Sequence, residues 1–161
     1  MRHSLSVIVA CYNEEKNIAR TLKRISRVAP YAEIIAVDDG STDNTSEAAK
    51  KTGIKNLKVI RYRRNMGKGY AIRKGADAAK GTIQAQVDAD SQFPPEELPR
   101  LLKPIFEDKA DIVFASRFVK GSAIQKGAMT RMRRAANFVV YCLSSAVKTG
   151  NALSLVTFSP A

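Results

Sequence analysis

Val87-Asp88-Ala89-Asp90-Ser91-Gln92 is the stretch on which the reading of this chain turns. Ile83 to Val87, which reads as the fourth strand, precedes it and Phe93-Pro94-Pro95 follows, so it sits where a buried strand ends and the chain turns. Side chains alternate along an extended chain, so Asp88 and Asp90 can point the same way where the chain is extended. Two carboxylates so placed, with Gln92 within reach, make a hard-cation site, and a hard cation with open positions is what a diphosphate needs. A single strand-end aspartate would be accounted for as the cap of the next helix. The pair with Gln92 points instead to a metal.

Upstream, Ser6 to Cys11 is a continuous apolar run rich in β-branched residues, as expected of a strand buried on both faces. The segment Asn13 to Arg27 reads as a helix, with Asn13 as N-cap, Glu14 and Glu15 at its positive end and Ile18, Leu22 and Ile25 as its apolar stripe. Glu33 to Val37 is the second strand and ends in Asp38-Asp39-Gly40-Ser41-Thr42-Asp43. Gly40 permits a tight turn, and Thr42 or Asp43 caps a helix from Asn44 to Thr52. Asp38 and Asp39 fall at the carboxyl end of a strand, where open α/β sheets bind ligands. Leu57 to Tyr62 is the third strand. Asn65-Met66-Gly67-Lys68-Gly69 then opens a helix with backbone N–H groups and an ammonium, an entrance suited to phosphate. The Walker A spacing is missing, and a solvated basic helix is the alternative for this segment taken alone.

Downstream, Pro95-Glu96-Glu97 starts a helix reaching Asp108, with Pro99 and Pro104 inside it, and Asp111 to Ser116 is the fifth strand. The alternation βαβαβαβαβ predicts a three-layer α/β fold, a mostly parallel sheet with helices on both faces, Rossmann-like. Beyond Arg117, residues 121–127 read as a loop. Residues 128–147 read as a helix whose arginines Arg131, Arg133 and Arg134 precede an apolar run of about thirteen residues. That run is too short to span a bilayer. It fits either an ordinary core helix or an amphipathic one lying among anionic headgroups.

The chain of 161 residues is sized for one domain and carries a net charge of +12, which favours an anionic partner. Cys11 and Cys142 lie far apart in apolar runs and read as buried thiols of a reducing compartment. No secretory signal is read at the start, and a cytoplasmic protein, peripheral on the inner face of the membrane, is the expectation. Charge alone would also fit a nucleic-acid binder, but neither an aromatic stacking face nor a nucleic-acid motif accompanies it, so no specific nucleic acid is expected.

Four segments agree in order and spacing: residues 9–14, 37–43, 65–69 and 88–92. Together they resemble the family 2 glycosyltransferases of the GT-A fold, most of all the dolichyl-phosphate mannose synthase group and related polyprenyl-phosphate glycosyltransferases. The resemblance covers residues 5 to about 120. It implies a nucleotide-sugar-binding core over 1–120, and an acceptor loop, amphipathic helix and short tail of the same domain over 121–161. Ala10, Tyr12 and Glu14 would line the nucleotide pocket, Asp39 with Asp38 beside it would meet the base or ribose, and Lys68 would lie at the diphosphate. Asp88, Asp90 and Gln92 would gather around Mg²⁺ or Mn²⁺, with Asp90 and Arg117 as the catalytic pair. Arg117 and Arg131 would hold the acceptor phosphate. The implied reaction moves a sugar from a GDP-mannose or UDP-glucose type donor to a polyprenyl or dolichyl phosphate at the membrane surface, with inversion.

The pattern departs from the family after the acceptor loop. Arg133-Arg134-Ala135-Ala136-Asn137 stands where the family has Ser-Arg-x-x-Asn, and Met129 stands at an expected arginine. The family's closing Asp-x-x-[Ser/Thr]-Gly-[Phe/Tyr]-Arg segment has no counterpart in residues 149–161. A truncated, weakly active or inactive nucleotide-sugar-binding module is therefore the alternative reading. An exposed sheet edge or apolar helix face would also favour a homo-oligomer.

Overall fold

The computed structural model describes residues 4–90 and 94–115, and the backbone of 154–158. Its sheet has six strands: β1 (Leu5–Cys11), β2 (Glu33–Asp38), β3 (Leu57–Arg61), β4 (Ile83–Asp88), β5 (Ile112–Ala115) and β6 (Ser154–Phe158). Their spatial order is β3-β2-β1-β4-β6-β5, and every neighbouring pair is parallel. The helices are α1 (Ile18–Val28), α2 (Thr45–Lys50), α3 (Lys68–Ala78) and α4 (Leu98–Phe106).

Alternation along the strands builds two cores. Val7, Val9, Ile34, Ala36, Ala85 and Val87 face one way and pack with Ile18, Leu22 and Ile25 of α1 and Leu98, Leu102 and Ile105 of α4. Ile35 and Val37 face the other way, against Ala71 of α3. The three α1 side chains are fully buried, each contributing about 1.5–3 kcal/mol. The chain winds from β1 outward to β3, then α3 carries it back past β2 and β1 to β4. Crossovers between parallel strands are right-handed, so reversing direction puts α3 on the opposite face from α1 and α2. The reversal opens a crevice at the carboxyl ends of β1 and β4.

Several boundaries differ from the sequence expectation. Asn13 is not the cap of α1. It has φ +55°, and its side chain accepts the Thr42 N–H at 2.9 Å from the neighbouring loop. A turn follows, and the helix begins at Ile18. The helix expected from Pro95 to Asp108 is a 3₁₀ turn, Pro95–Glu97, followed by α4. β6 was not anticipated, and it lies between β4 and β5. The helix expected over 128–147, with Arg131, Arg133 and Arg134, lies outside the described residues. No helix among the described residues is long and apolar enough to cross a membrane.

Candidate functional site

Register brings the site together. Ala10 of β1 lies between Val37 of β2 and Asp88 of β4, so the loops that leave all three strands meet at one end of the sheet. There they enclose a cleft of about 280 Å³. Of the residues singled out in the sequence, Ala10, Tyr12, Glu14, Asp39, Lys68, Asp88 and Asp90 line it, together with Cys11, Asn65, Ala71 and Ala89.

The loops are held by one another. The Asn13 N–H donates to the Ser41 hydroxyl at 2.9 Å, and the Glu14 N–H to the Thr45 hydroxyl at 2.8 Å. Asp43 accepts the Glu15 N–H at 3.1 Å and the Thr45 N–H at 3.0 Å, so from the position before the cap residue Asn44 it holds the first N–H of α2 and ties it to the loop that follows β1. These bonds fix Tyr12 and Glu14 relative to Asp39.

The adjacent aspartates Asp38 and Asp39 part company. Asp38 shares the face of Ile34 and Ala36, and its side chain turns under α2. Its carboxylate accepts the Ser41 N–H at 2.9 Å and the Ser46 hydroxyl, and it lies 3.6 Å from the Arg61 guanidinium. It is fully buried and does not line the cleft. The sequence placed it beside the base or ribose; strand alternation gives it a structural post instead. Asp39 faces the cleft, and its two oxygens accept the Met66 N–H at 2.9 Å and the Gly67 N–H at 2.8 Å. It therefore clamps the loop from which Lys68 starts α3.

Lys68 reaches across the cleft. Its Nζ lies 2.7 Å from Asp88 Oδ1, with the lysine side chain 46% exposed and the aspartate 9%. Gln86 Nε2 donates to the same oxygen at 3.3 Å. Burial pushes the Asp88 carboxyl above its usual range, against the pull of Lys68, and the Asp90 carboxylate pushes it further. Thr21 of α1 donates its hydroxyl to the Ala89 carbonyl at 2.9 Å, holding the turn between the two carboxylates. Cys11 donates its thiol to the Val37 carbonyl. Burial, with Asp38 and Glu14 nearby, keeps that thiol protonated far above its ordinary range. It is a wall of the cleft and not a nucleophile.

Asp88 and Asp90 suit a divalent cation in one particular way. Among the described residues no three Asp, Glu, His or Cys side chains gather to cage a metal. Mg²⁺ and its like are commonly held by one or two carboxylates plus substrate phosphates. A buried carboxylate repelled by a second one is the donor set that such a cation relieves. Gln92, Arg117 and Arg131, the remaining predicted site residues, lie outside the described residues.

Residues 6–150 match the sequence family described as Glycosyl transferase family 2. This chain belongs to that family. It is 37% identical over 124 residues to the dolichol-phosphate mannosyltransferase of Pyrococcus furiosus, covering 75% of this chain and 35% of that protein. It is 37% identical over 109 residues to the undecaprenyl-phosphate 4-deoxy-4-formamido-L-arabinose transferase of Pseudomonas fluorescens, covering 63% of this chain and 32% of the relative. The chain thus spans about a third of the length of these two family 2 relatives. Its fold is similar to the glucosyl-3-phosphoglycerate synthase of Mycobacterium tuberculosis, crystallised with Mn²⁺, UDP-glucose and phosphoglyceric acid. The TM-score is 0.60 at 26% identity, covering 74% of this chain and 45% of that one. The architecture is that of the GT-A glycosyltransferases.

Proposed function

We propose that the cleft binds a nucleotide sugar with a divalent cation, Mg²⁺ or Mn²⁺, and that the protein transfers the sugar to a polyprenyl phosphate with inversion. The observation that carries the reading is the meeting of Asp88, Asp90 and Lys68 with Tyr12, Glu14 and Asp39 in one cleft of a family 2 fold. The two transferases it resembles are named for polyprenyl-phosphate substrates, and the similar mycobacterial enzyme was crystallised with Mn²⁺ and UDP-glucose.

In this reading Tyr12 and Glu14 bound the nucleoside end of the cleft, and Asp39 both meets the nucleoside and holds the Lys68 loop. Asp88 and Asp90, with Gln92, hold the cation beside the diphosphate. When bound, the cation neutralises charge that develops on the leaving diphosphate. The acceptor phosphate attacks the anomeric carbon as the bond to the nucleoside diphosphate breaks on the opposite face. An alcohol acceptor would need a general base. A phosphate monoester, with a second pKa of about 6, is already largely ionised at neutral pH. It needs cations to position it, and Arg117 and Arg131 are assigned that task. The peripheral membrane site and any self-association belong to the same proposal.

Calorimetric titration with GDP, UDP, GDP-mannose and UDP-glucose, with and without Mn²⁺, tests the donor half. Transfer to a short polyprenyl phosphate tests the acceptor half. Metal-dependent binding with transfer to an inverted product is the expected result. Binding without transfer limits the protein to a nucleotide-sugar module, and absence of binding under every condition overturns the reading.

A further inference from the structure

One contact in the cleft is not accounted for by donor binding as described. The Lys68 ammonium sits on Asp88, the carboxylate assigned to the cation. A divalent ion drawn to that carboxylate, even on its second oxygen, would meet an ammonium of like sign at close range. We propose that Lys68 is an exchangeable counter-ion: it neutralises Asp88 in the empty cleft and moves to the donor's diphosphate when the carboxylate takes a divalent cation. The inference rests on the donor-site reading above and deepens it by setting the order of charge exchange.

Three observations support the exchange. First, the lysine is half-exposed while its partner is buried, so the side chain can leave without unpacking a core. Its long flexible stem and compact charge suit a switch between two anions better than a rigid guanidinium would. Second, its main chain does not need to move. Asp39 holds the Met66 and Gly67 N–H groups immediately before it, so only the side chain swings. Third, the two cations compete for Asp88 until an anion arrives. A divalent cation there would stand beside the ammonium it repels, and a doubly charged diphosphate in the same cleft gives the displaced ammonium a new partner. Cation and nucleotide therefore bind cooperatively, with Lys68 as the coupling residue.

The test titrates Mn²⁺ alone, UDP or GDP alone, and Mn²⁺ in the presence of each nucleotide. It uses the whole protein and the variants Lys68→Met, Lys68→Arg and Asp88→Asn. Calorimetry is paired with the paramagnetic resonance of free Mn²⁺, and thermal melts confirm that each variant is folded. For the unaltered protein, one nucleotide should strengthen Mn²⁺ binding by about 5- to 150-fold, the ordinary range of coupling between two ligands. Lys68→Met should bind Mn²⁺ alone more tightly and lose most of the coupling, and Lys68→Arg should retain part of it. If Lys68→Met leaves both quantities unchanged while Asp88→Asn abolishes Mn²⁺ binding, the ion pair is a fixed contact: the exchange is refuted and the donor site stands. If Asp88→Asn binds Mn²⁺ as well as the unaltered protein does, both proposals fall.

Discussion

Asp39 holds Gly67: the carboxylate that faces the cleft from the end of β2 accepts the Gly67 N–H at 2.8 Å, with the Met66 N–H on its other oxygen. A residue proposed to meet the nucleoside thus also sets the loop that delivers Lys68. Hydrogen bonds to a charged group contribute about 1.5–3 kcal/mol each. Asp39→Ala should lower stability by at least about 2 kcal/mol in urea denaturation and weaken nucleotide binding. If Asp39 met only the nucleoside, the variant would lose affinity and leave the urea midpoint in place.

Gly40 backs onto the same loop. Its φ is +73°, and a Cβ there would stand 2.6 Å from the Asn65 nitrogen, with the Arg64 backbone closer still. Gly53 has a similar φ of +68° but open space around it. Gly53→Ala should cost about 1–2 kcal/mol, the left-handed penalty alone. Gly40→Ala adds overlap with backbone that cannot rotate away and should cost at least about 3 kcal/mol. Equal losses in paired urea titrations would mean that the loop yields.

Thr21→Val keeps the shape of a buried α1 side chain and removes the hydroxyl on the Ala89 carbonyl. Leaving that carbonyl without this donor should cost about 1–3 kcal/mol. Because Ala89 separates Asp88 from Asp90, Mn²⁺ affinity should fall as well. A stability loss with unchanged Mn²⁺ binding would show that the two carboxylates keep their spacing without this support.

Glu33 gives the fold a pH signature away from the site. Burial works to raise its pKa, but the Lys80 N–H at 2.9 Å and the Ser6 hydroxyl at 2.7 Å outweigh it and hold the carboxyl below its usual range. A depressed folded pKa stabilises above the unfolded value of about 4.3 and ceases to do so as pH falls through the folded one. Glu33→Gln should therefore have a lower urea midpoint at pH 7, and the gap should close as the pH is taken below about 4. A gap independent of pH would assign the effect to hydrogen-bond geometry and not to charge.

Which of these features were legible in the sequence follows from the range of the forces involved. β1 and β2 declare themselves as apolar runs rich in β-branched residues, because burial on both faces leaves little room for polar ones. β3 carries Lys58, β4 buries Gln84 and Gln86, and β5 is half-exposed, so these three are read from their place in the alternation with helices. Asp88 and Asp90 could be paired because they stand two residues apart where a strand ends, but β4 stops at Asp88 and the turn through Ala89, not strand alternation, sets their spacing. Strand alternation does separate Asp38 from Asp39, one toward α2 and one toward the cleft. The late start of α1 was hidden because Asn13 is held by Thr42, a contact set by the neighbouring loop and not by helix propensity. The contact between Lys68 and Asp88 belongs to the crossover α3, and no spacing within either motif announces it. Ser154 to Phe158 has the composition of a strand, but its place between β4 and β5 depends on pairing with residues far earlier in the chain.

That insertion bears on how the protein is made. Strands β1 to β4 are joined to one another by pairings that lie within residues 5–88, so the sheet beneath the cleft can assemble early in synthesis, before β6 reaches the free edge of β4. β5 hydrogen-bonds to β6 alone among the described strands, so residues 112–115 have no edge to join until residues 154–158 leave the ribosome. At about 5–20 residues per second the intervening wait is a matter of seconds. During it residues 112–115, with Ile112 and Phe114 exposed even in the finished structure, have no strand to pair with, and β4 presents an open edge. Aggregation of nascent chains should therefore concentrate in that interval, after β1 to β4 have paired and before β6 joins β5 to them.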